Sequence, residues 1–229
     1  MRFDVITIFP EVLREYFNSS ILGRARKGGL VEVNLHNLRD FAEDKHKKVD
    51  DKPFGGGPGM VLKIEPIVNT IGSILSSKLK IQSSKLRKTK IIIFSPGGKQ
   101  FNKKLARDWA KKYDNIIMIC GRYEGIDARI KKIIPALGVS VEEVSIGPYI
   151  LTGGELPAAV VADSVSRQIP GVLGKEESLE EERYVSGYPL YTKPDIFEFK
   201  GKKYSIPKIL KSGDHKKIEE WRKKRAKFF

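Results

Sequence analysis

The chain has 229 residues, 40% of them hydrophobic and 31% charged. It is long enough to bury roughly 70% of its unfolded surface and too apolar to stay disordered. Forty-three Lys and Arg against 28 Asp and Glu give a formal net charge of +15, which points to a polyanionic partner, nucleic acid first.

FDVITIF at 3 to 9 is β-branched and aromatic and predicts a strand. Pro10 follows where a first helical turn tolerates it, ahead of Val12, Leu13, Tyr16 and Phe17 at helical spacing. LVEVNLHNL at 30 to 38 alternates as a half-buried strand does, whereas KIIIFS at 90 to 95 and NIIMIC at 115 to 120 are short continuous apolar runs, as expected of strands covered on both faces. Between those two, Phe101, Leu105, Trp109 and Ala110 mark a helical face, so the order strand, helix, strand favours a parallel sheet in an α/β fold. A further strand is expected over 139 to 146 and a helix over 157 to 168. Residues 171 to 195, rich in acids, Gly and Pro, read as a linker. A last helix spans 212 to 225, with Asp214 as N-cap and Ile218, Trp221 and Arg225 along one side.

The basic residues cluster. Residues 78 to 90 carry six Lys and Arg and no acid, and residues 200 to 229 carry twelve against Asp214, Glu219 and Glu220. Such patches suit a polyanion better than an even bias does. One cysteine, Cys120, rules out an intramolecular disulfide, argues against a cysteine-based zinc site, and reads as a small core residue. No secretory leader is recognised in the opening residues and no apolar run is long enough for a membrane span, so a reducing cytoplasm and no membrane are expected. His36, His46 and His215 have no metal-ligand spacing.

Glycine and proline punctuate the ends of the predicted strands. FSPGG at 94 to 98, CGRYEG at 120 to 125 and SIGPYILTGG at 145 to 154 each follow a strand, where open α/β sheets bind ligands. Three such turns predict one pocket whose rim is backbone and small side chains, suited to a flat polar ring. FGGGPGM at 54 to 60 lacks the Lys-Ser/Thr of a phosphate loop; it is either a tight connection or a backbone-lined surface flanked by Asp50, Asp51 and Lys52. The acids Glu176, Glu177, Glu180, Glu181 and Glu182 form either a solvated face or a source of a general base.

In order along the chain, RKGG, LVEVNLHNLRDFAEDKHKKVDDKPFGGGPGM, FSPGG, CGRYEGID, EEVSIGPYILTGGELPAAVVADSVSRQIPGVLG, YTKP and SGDHKKIEEWR closely resemble the bacterial tRNA (guanine-N1)-methyltransferase family, TrmD. The resemblance runs nearly end to end. It implies a SPOUT-type α/β fold with a mostly parallel sheet and a C-terminal trefoil knot, plus a small C-terminal helical domain, in a homodimer. The chain's own organisation divides it into a larger α/β domain over residues 1–166, a linker over 167–186 and a small basic helical domain over 187–229, to which the resemblance assigns methyl transfer and tRNA binding. The implied reaction is methyl transfer from S-adenosylmethionine to N1 of guanosine 37 of tRNA.

The same resemblance assigns residues. Phe94, Pro96, Gly121, Glu124, Ser145, Ile146, Gly147, Pro148, Tyr149, Ile150, Leu151, Gly153 and Gly154 are implied to hold the cofactor, the glycines letting backbone approach it. Arg167, in DSVSR, matches the family's catalytic arginine and would contact guanine O6. Glu182 stands where the family has an aspartate base, with Glu181 the fallback, and Pro148 stands where an aspartate is common. The family's magnesium requirement finds only Glu124 and Glu182 here as candidate ligands. The competing readings are a SPOUT enzyme acting on another RNA and an RNA-binding protein without turnover.

Overall fold

β-Branched residues fill the runs near 2–7, 89–94 and 115–119, and these become the inner strands of a five-stranded sheet. The computed structural model describes residues 1–79, 88–173 and 188–226. Two compact units divide the chain, Met1–Leu173 and Gly174–Phe229.

The first unit begins with β1 (Arg2–Thr7), α1 (Glu11–Asn18), α2 (Ser20–Lys27) and β2 (Glu32–Asn37), then a 3-10 turn over Leu38–Phe41. A two-residue antiparallel pair, β3 (Asp50–Asp51) with β4 (Val61–Leu62), frames the glycine loop, and α3 (Ile64–Leu79) follows. Next come β5 (Thr89–Gln100), α4 (Lys103–Lys112), β6 (Asn115–Ile119), α5 (Ile130–Ala136), β7 (Ser140–Ser145) and α6 (Glu155–Ser166). The sheet order is β2-β1-β6-β5-β7 and every pairing is parallel. The α/β expectation with a mostly parallel sheet is met.

The two-residue period of a strand sorts the core into two layers. Phe3, Val5, Ile92, Ile116 and Met118 point to one face, against Leu13, Phe17, Trp109, Val161 and Val165 of α1, α4 and α6. Ile6, Ile91, Ile93, Ile117 and Ile119 point to the other, against Ile67, Ile71 and Ile74 of α3 and Ile130 and Ile134 of α5. With both faces covered, β6 has no exposed residue, which is why its sequence is continuously apolar. Asn102 caps α4 by accepting from the Leu105 N–H at 3.0 Å.

Not every predicted apolar position is buried. On α1, Leu13 and Phe17 enter the core while Val12 and Tyr16 stay exposed, and Leu156 and Val160 of α6 are exposed likewise. The Tyr16 hydroxyl donates to Asp163 Oδ2 at 2.6 Å, tying the two helices together. Burial first and this bond second push the phenol up to about 12.

The structure departs from the expected organisation in two places. Residues 167–173, expected to be linker, belong with the first unit, because Ile169 and Val172 pack against its core. The second unit is not purely helical: β8 (Ile196–Phe199) and β9 (Lys202–Ser205) form an antiparallel hairpin ahead of α7 (His215–Arg225). Its turn, Lys200-Gly201, has positive φ at both residues, 50° and 72°, the twist that a two-residue hairpin needs. Asp214 caps α7 as expected, accepting from the Lys217 N–H at 3.1 Å.

Candidate functional site

All three Gly/Pro turns lie at the carboxyl edge of the sheet, because β5, β6 and β7 run parallel and end on the same side. The first interrupts β5. Pairing with β7 breaks between Phe94 and Lys99 and resumes at Lys99 with Val144 and Gln100 with Ser145. Gly98 permits this return: a Cβ there would sit 2.6 Å from the Glu143 carbonyl carbon.

The second turn leaves β6 at Cys120, whose N–H reaches the Ile6 carbonyl at 2.9 Å. Tyr123 takes a left-handed conformation, φ 57°, at its tip. The third turn folds back on the second. Gly154 donates to the Gly121 carbonyl at 3.0 Å, and Arg122 and Gly153 form an antiparallel bridge. A Cβ on Gly154 would lie 2.5 Å from the Cys120 Cα. The sequence reading expected these glycines to make room for a ligand. At Gly153 and Gly154 the neighbour is the chain itself, and at Gly147 it is the Tyr149 ring. The Ser145 hydroxyl closes the start of the turn, donating to the Gly147 carbonyl at 2.9 Å.

Together the turns enclose a cavity of about 460 Å³. Phe94 and Pro96 line one side, Gly121 and Glu124 a second, and Ser145, Ile146, Gly147, Tyr149, Ile150, Leu151, Gly153 and Gly154 the third. Pro148 is exposed and is not on the wall. Wall residues that sequence reasoning passed over include Arg122, Thr152, Lys131 and Glu143, the last two joined at 2.6 Å. Position within CGRYEG was the available signal for Arg122.

Behind this wall lies a buried polar network. Glu155, 2% exposed at the start of α6, accepts from the Thr7 hydroxyl at 2.6 Å and from Arg122 Nη2 at 3.0 Å. Arg122 also donates to the Thr152 carbonyl at 3.3 Å and lies over the Phe9 ring. One guanidinium therefore pins β1, the second turn and the third turn to each other. Burial pushes the adjacent Cys120 thiol well up, with the Glu155 charge adding to it, so the thiol stays neutral.

The glycine loop 54–60 adjoins the same turn. Glu124 N–H donates to the Met60 carbonyl at 3.0 Å and its side chain covers Gly59 where a Cβ would be. The loop is thus a tight connection held against the pocket, and its Phe54 is fully exposed. Burial first and the nearby Asp50 carboxylate second raise the Tyr123 phenol.

Of the two catalytic candidates, Arg167 is not on the wall of this cavity. Arg167 caps the far end of α6, its N–H on the Asp163 carbonyl at 3.0 Å. Ten residues at ~1.5 Å rise put its backbone about 15 Å along α6 from Pro157, which lines the pocket. Glu182 and its fallback Glu181 lie outside the described residues. Among the described residues no group of three or more His, Cys, Asp or Glu could hold a metal ion, and Glu124 stands alone as a ligand candidate. Among them, too, no helix is long and apolar enough to cross a membrane.

Comparison with known proteins matches the chain's sequence to a family. A family model described as tRNA (Guanine-1)-methyltransferase TrmD matches residues 1–228. A Dictyoglomus turgidum protein named tRNA (guanine-N(1)-)-methyltransferase is 48% identical over 99% of this chain and 85% of its own. Proteins of the same name from Clostridioides difficile and Thermomicrobium roseum are 46% and 50% identical over 99% of this chain, covering 92% and 79% of theirs.

Proposed function

The chain belongs to the tRNA (guanine-1)-methyltransferase family and is an enzyme that methylates N1 of guanine in tRNA, and we propose that its 460 Å³ cavity is the cofactor site, its target guanosine 37, and its working form a homodimer. Membership removes the readings of another RNA substrate and of binding without turnover.

The observation that carries the cofactor assignment is the convergence of three backbone-rich turns at the ends of β5, β6 and β7. Main-chain N–H and C=O groups on small residues fit the flat, polar adenosine of S-adenosylmethionine. When bound, that cofactor supplies a methyl group on a positively charged sulfur. The close approach of the third turn to Gly121 and Arg122 is what a trefoil knot here would require.

Guanine N1 carries a proton and must lose it to become a nucleophile. Glu182 accepts that proton, and Arg167 donates to O6, where negative charge develops. The separation of about 15 Å along α6 between Arg167 and Pro157 on its own pocket's wall suits a shared site, in which Arg167 of the partner subunit reaches the cavity. The exposed side chains Val12, Tyr16, Leu156 and Val160, on two helices tied by the Tyr16–Asp163 bond, suit the face between copies. The basic second unit holds tRNA phosphates, and the target base is flipped into the pocket. A single buried thiol fits the cytoplasm, where the substrate is made.

Transfer of label from S-adenosylmethionine to a tRNA transcript with guanosine 37 tests this. Glu182→Gln and Arg167→Ala should each lose about 10²- to 10⁴-fold in rate with cofactor binding kept. Mixing Arg167→Ala chains with chains crippled at Gly154 should restore part of the activity through hybrid dimers. No restoration would place Arg167 and the pocket in one subunit, and an active Glu182→Gln would move the base elsewhere.

A further inference from the structure

The second unit has a cavity of its own, of about 660 Å³. Its walls include Tyr188 and Tyr191, from the segment before the hairpin, and His215, Lys216, Trp221 and Arg222 of α7. The Tyr191 and Trp221 rings lie 6.3 Å apart, and the Arg222 guanidinium lies 5.2 Å from the centre of the Tyr188 ring. Arg222 Nε is buried and has no hydrogen-bond partner among the described residues. A buried donor left unpaired is costly unless a ligand accepts from it. Tyr191 is 49% exposed, so the aromatic wall is open to solvent.

Resting on the tRNA reading above, we infer that this slot takes one unpaired nucleobase of the RNA substrate, its face on the exposed Tyr191 ring and its edge toward the Arg222 guanidinium, with Trp221 beside it at a 59° tilt. The chemistry discriminates among ligands. Lys216 and Arg222 on the wall attract a phosphate, but the aromatic rings add a stacking face that only a base can use, and the Glu219 carboxylate can accept from a base N–H while repelling an anion. A base inside a helix has no free face, so the ligand comes from a loop or bulge. Charge on the unit favours RNA over an apolar partner: residues 188–226 hold twelve Lys and Arg against five Asp and Glu. The last turn of α7, with Arg222, Lys223, Lys224 and Arg225, puts cations beside the slot to hold flanking phosphates.

The test measures binding of a guanosine-37 tRNA transcript to the full chain across a salt series, with methyl transfer followed in parallel. Tyr191→Ala should weaken binding about tenfold at every salt concentration without changing the salt slope, and Tyr191→Phe should bind as wild type does. Lys224→Ala should instead lower the slope by about one unit. In a Trp109→Phe background, Trp221 fluorescence should be quenched by the transcript and not by inorganic polyphosphate. The inference is overturned by unchanged affinity in Tyr191→Ala, by a loss confined to the salt slope, or by equal quenching with polyphosphate. Loss of self-association in Tyr191→Ala at unchanged tRNA affinity would give the slot to a second copy instead. Failure of the wild type to methylate tRNA would sink the functional reading itself, an outcome distinct from a wild type that methylates while Tyr191→Ala binds normally.

Discussion

The two units solve opposite problems. In the first, every residue of β6 is buried, and the glycines of the third turn are fixed by chain packed against chain. In the second, all eight residues of the hairpin are exposed and α7 buries none. Gly154 and Gly201 show the contrast at single positions. A side chain at the first would strike the Cys120 backbone, whereas a side chain at the second would meet nothing within 4 Å. One unit is shaped by its own core, and the other leaves most of its aromatic and basic residues exposed.

The largest effect that should follow is at Gly154. Gly154→Ala forces the third turn off the second, and we expect about a 10²-fold loss in cofactor affinity, read by calorimetry, because displacement of a binding group by about 1 Å has that scale. The matching change in the second unit, Gly201→Asn, keeps a residue tolerant of positive φ and should leave affinity for cofactor and stability near wild type. Equal effects of the two would dissolve the contrast.

Core deletion sharpens it next. Ile117, 0% exposed on the central strand, should lose about 3 kcal/mol as Ile117→Ala, seen as a shift of denaturant midpoint in the first unit. Acid acts on the same unit through Glu142. Burial alone would raise its carboxyl, but hydrogen bonds and charge from Lys90, at 2.5 Å, and Lys99 outweigh it and hold the group below its ordinary 4.5. A carboxylate depressed on folding stabilises fully above the unfolded value and loses that contribution as pH falls through the folded one. The unfolding midpoint should therefore decline below about pH 4.5, and Lys90→Met should flatten that limb. The smallest effect is chemical. The buried thiol of Cys120, pushed well up, should resist iodoacetamide in the native state at neutral pH and react on unfolding.

Much of the first unit was legible locally. Runs such as NIIMI and the helical spacing of Leu13 with Phe17 report their own burial, and the Gly/Pro turns mark strand ends. Two elements were passed over although they carry a signal. IEPIVNTIGSILSSKL has β-branched content that suggests a strand, yet Ile64, Ile67, Ile71, Ile74 and Leu75 recur at helical spacing. The Lys200-Gly201 pair marks a hairpin inside a stretch whose charge drew attention to tRNA instead. Val12 and Tyr16 misled in the other direction, since helical spacing says which residues share a stripe and not whether a neighbour covers it.

By itself the sequence determined the parallel α/β sheet, the basic character of the second unit, and, through ordered motif blocks, the family and its reaction. Only the tertiary structure decided what stands behind the motifs. Glu155 meets Thr7 across 148 residues of sequence, Arg122 joins the second turn to the third, and Gly154 touches Cys120. It also placed Arg167 at the end of α6 opposite the one that lines the pocket. Local pattern records the period and polarity of one segment, which sterics and solvent impose residue by residue. Which distant segments meet is fixed by packing of the whole chain, and no single stretch carries that information.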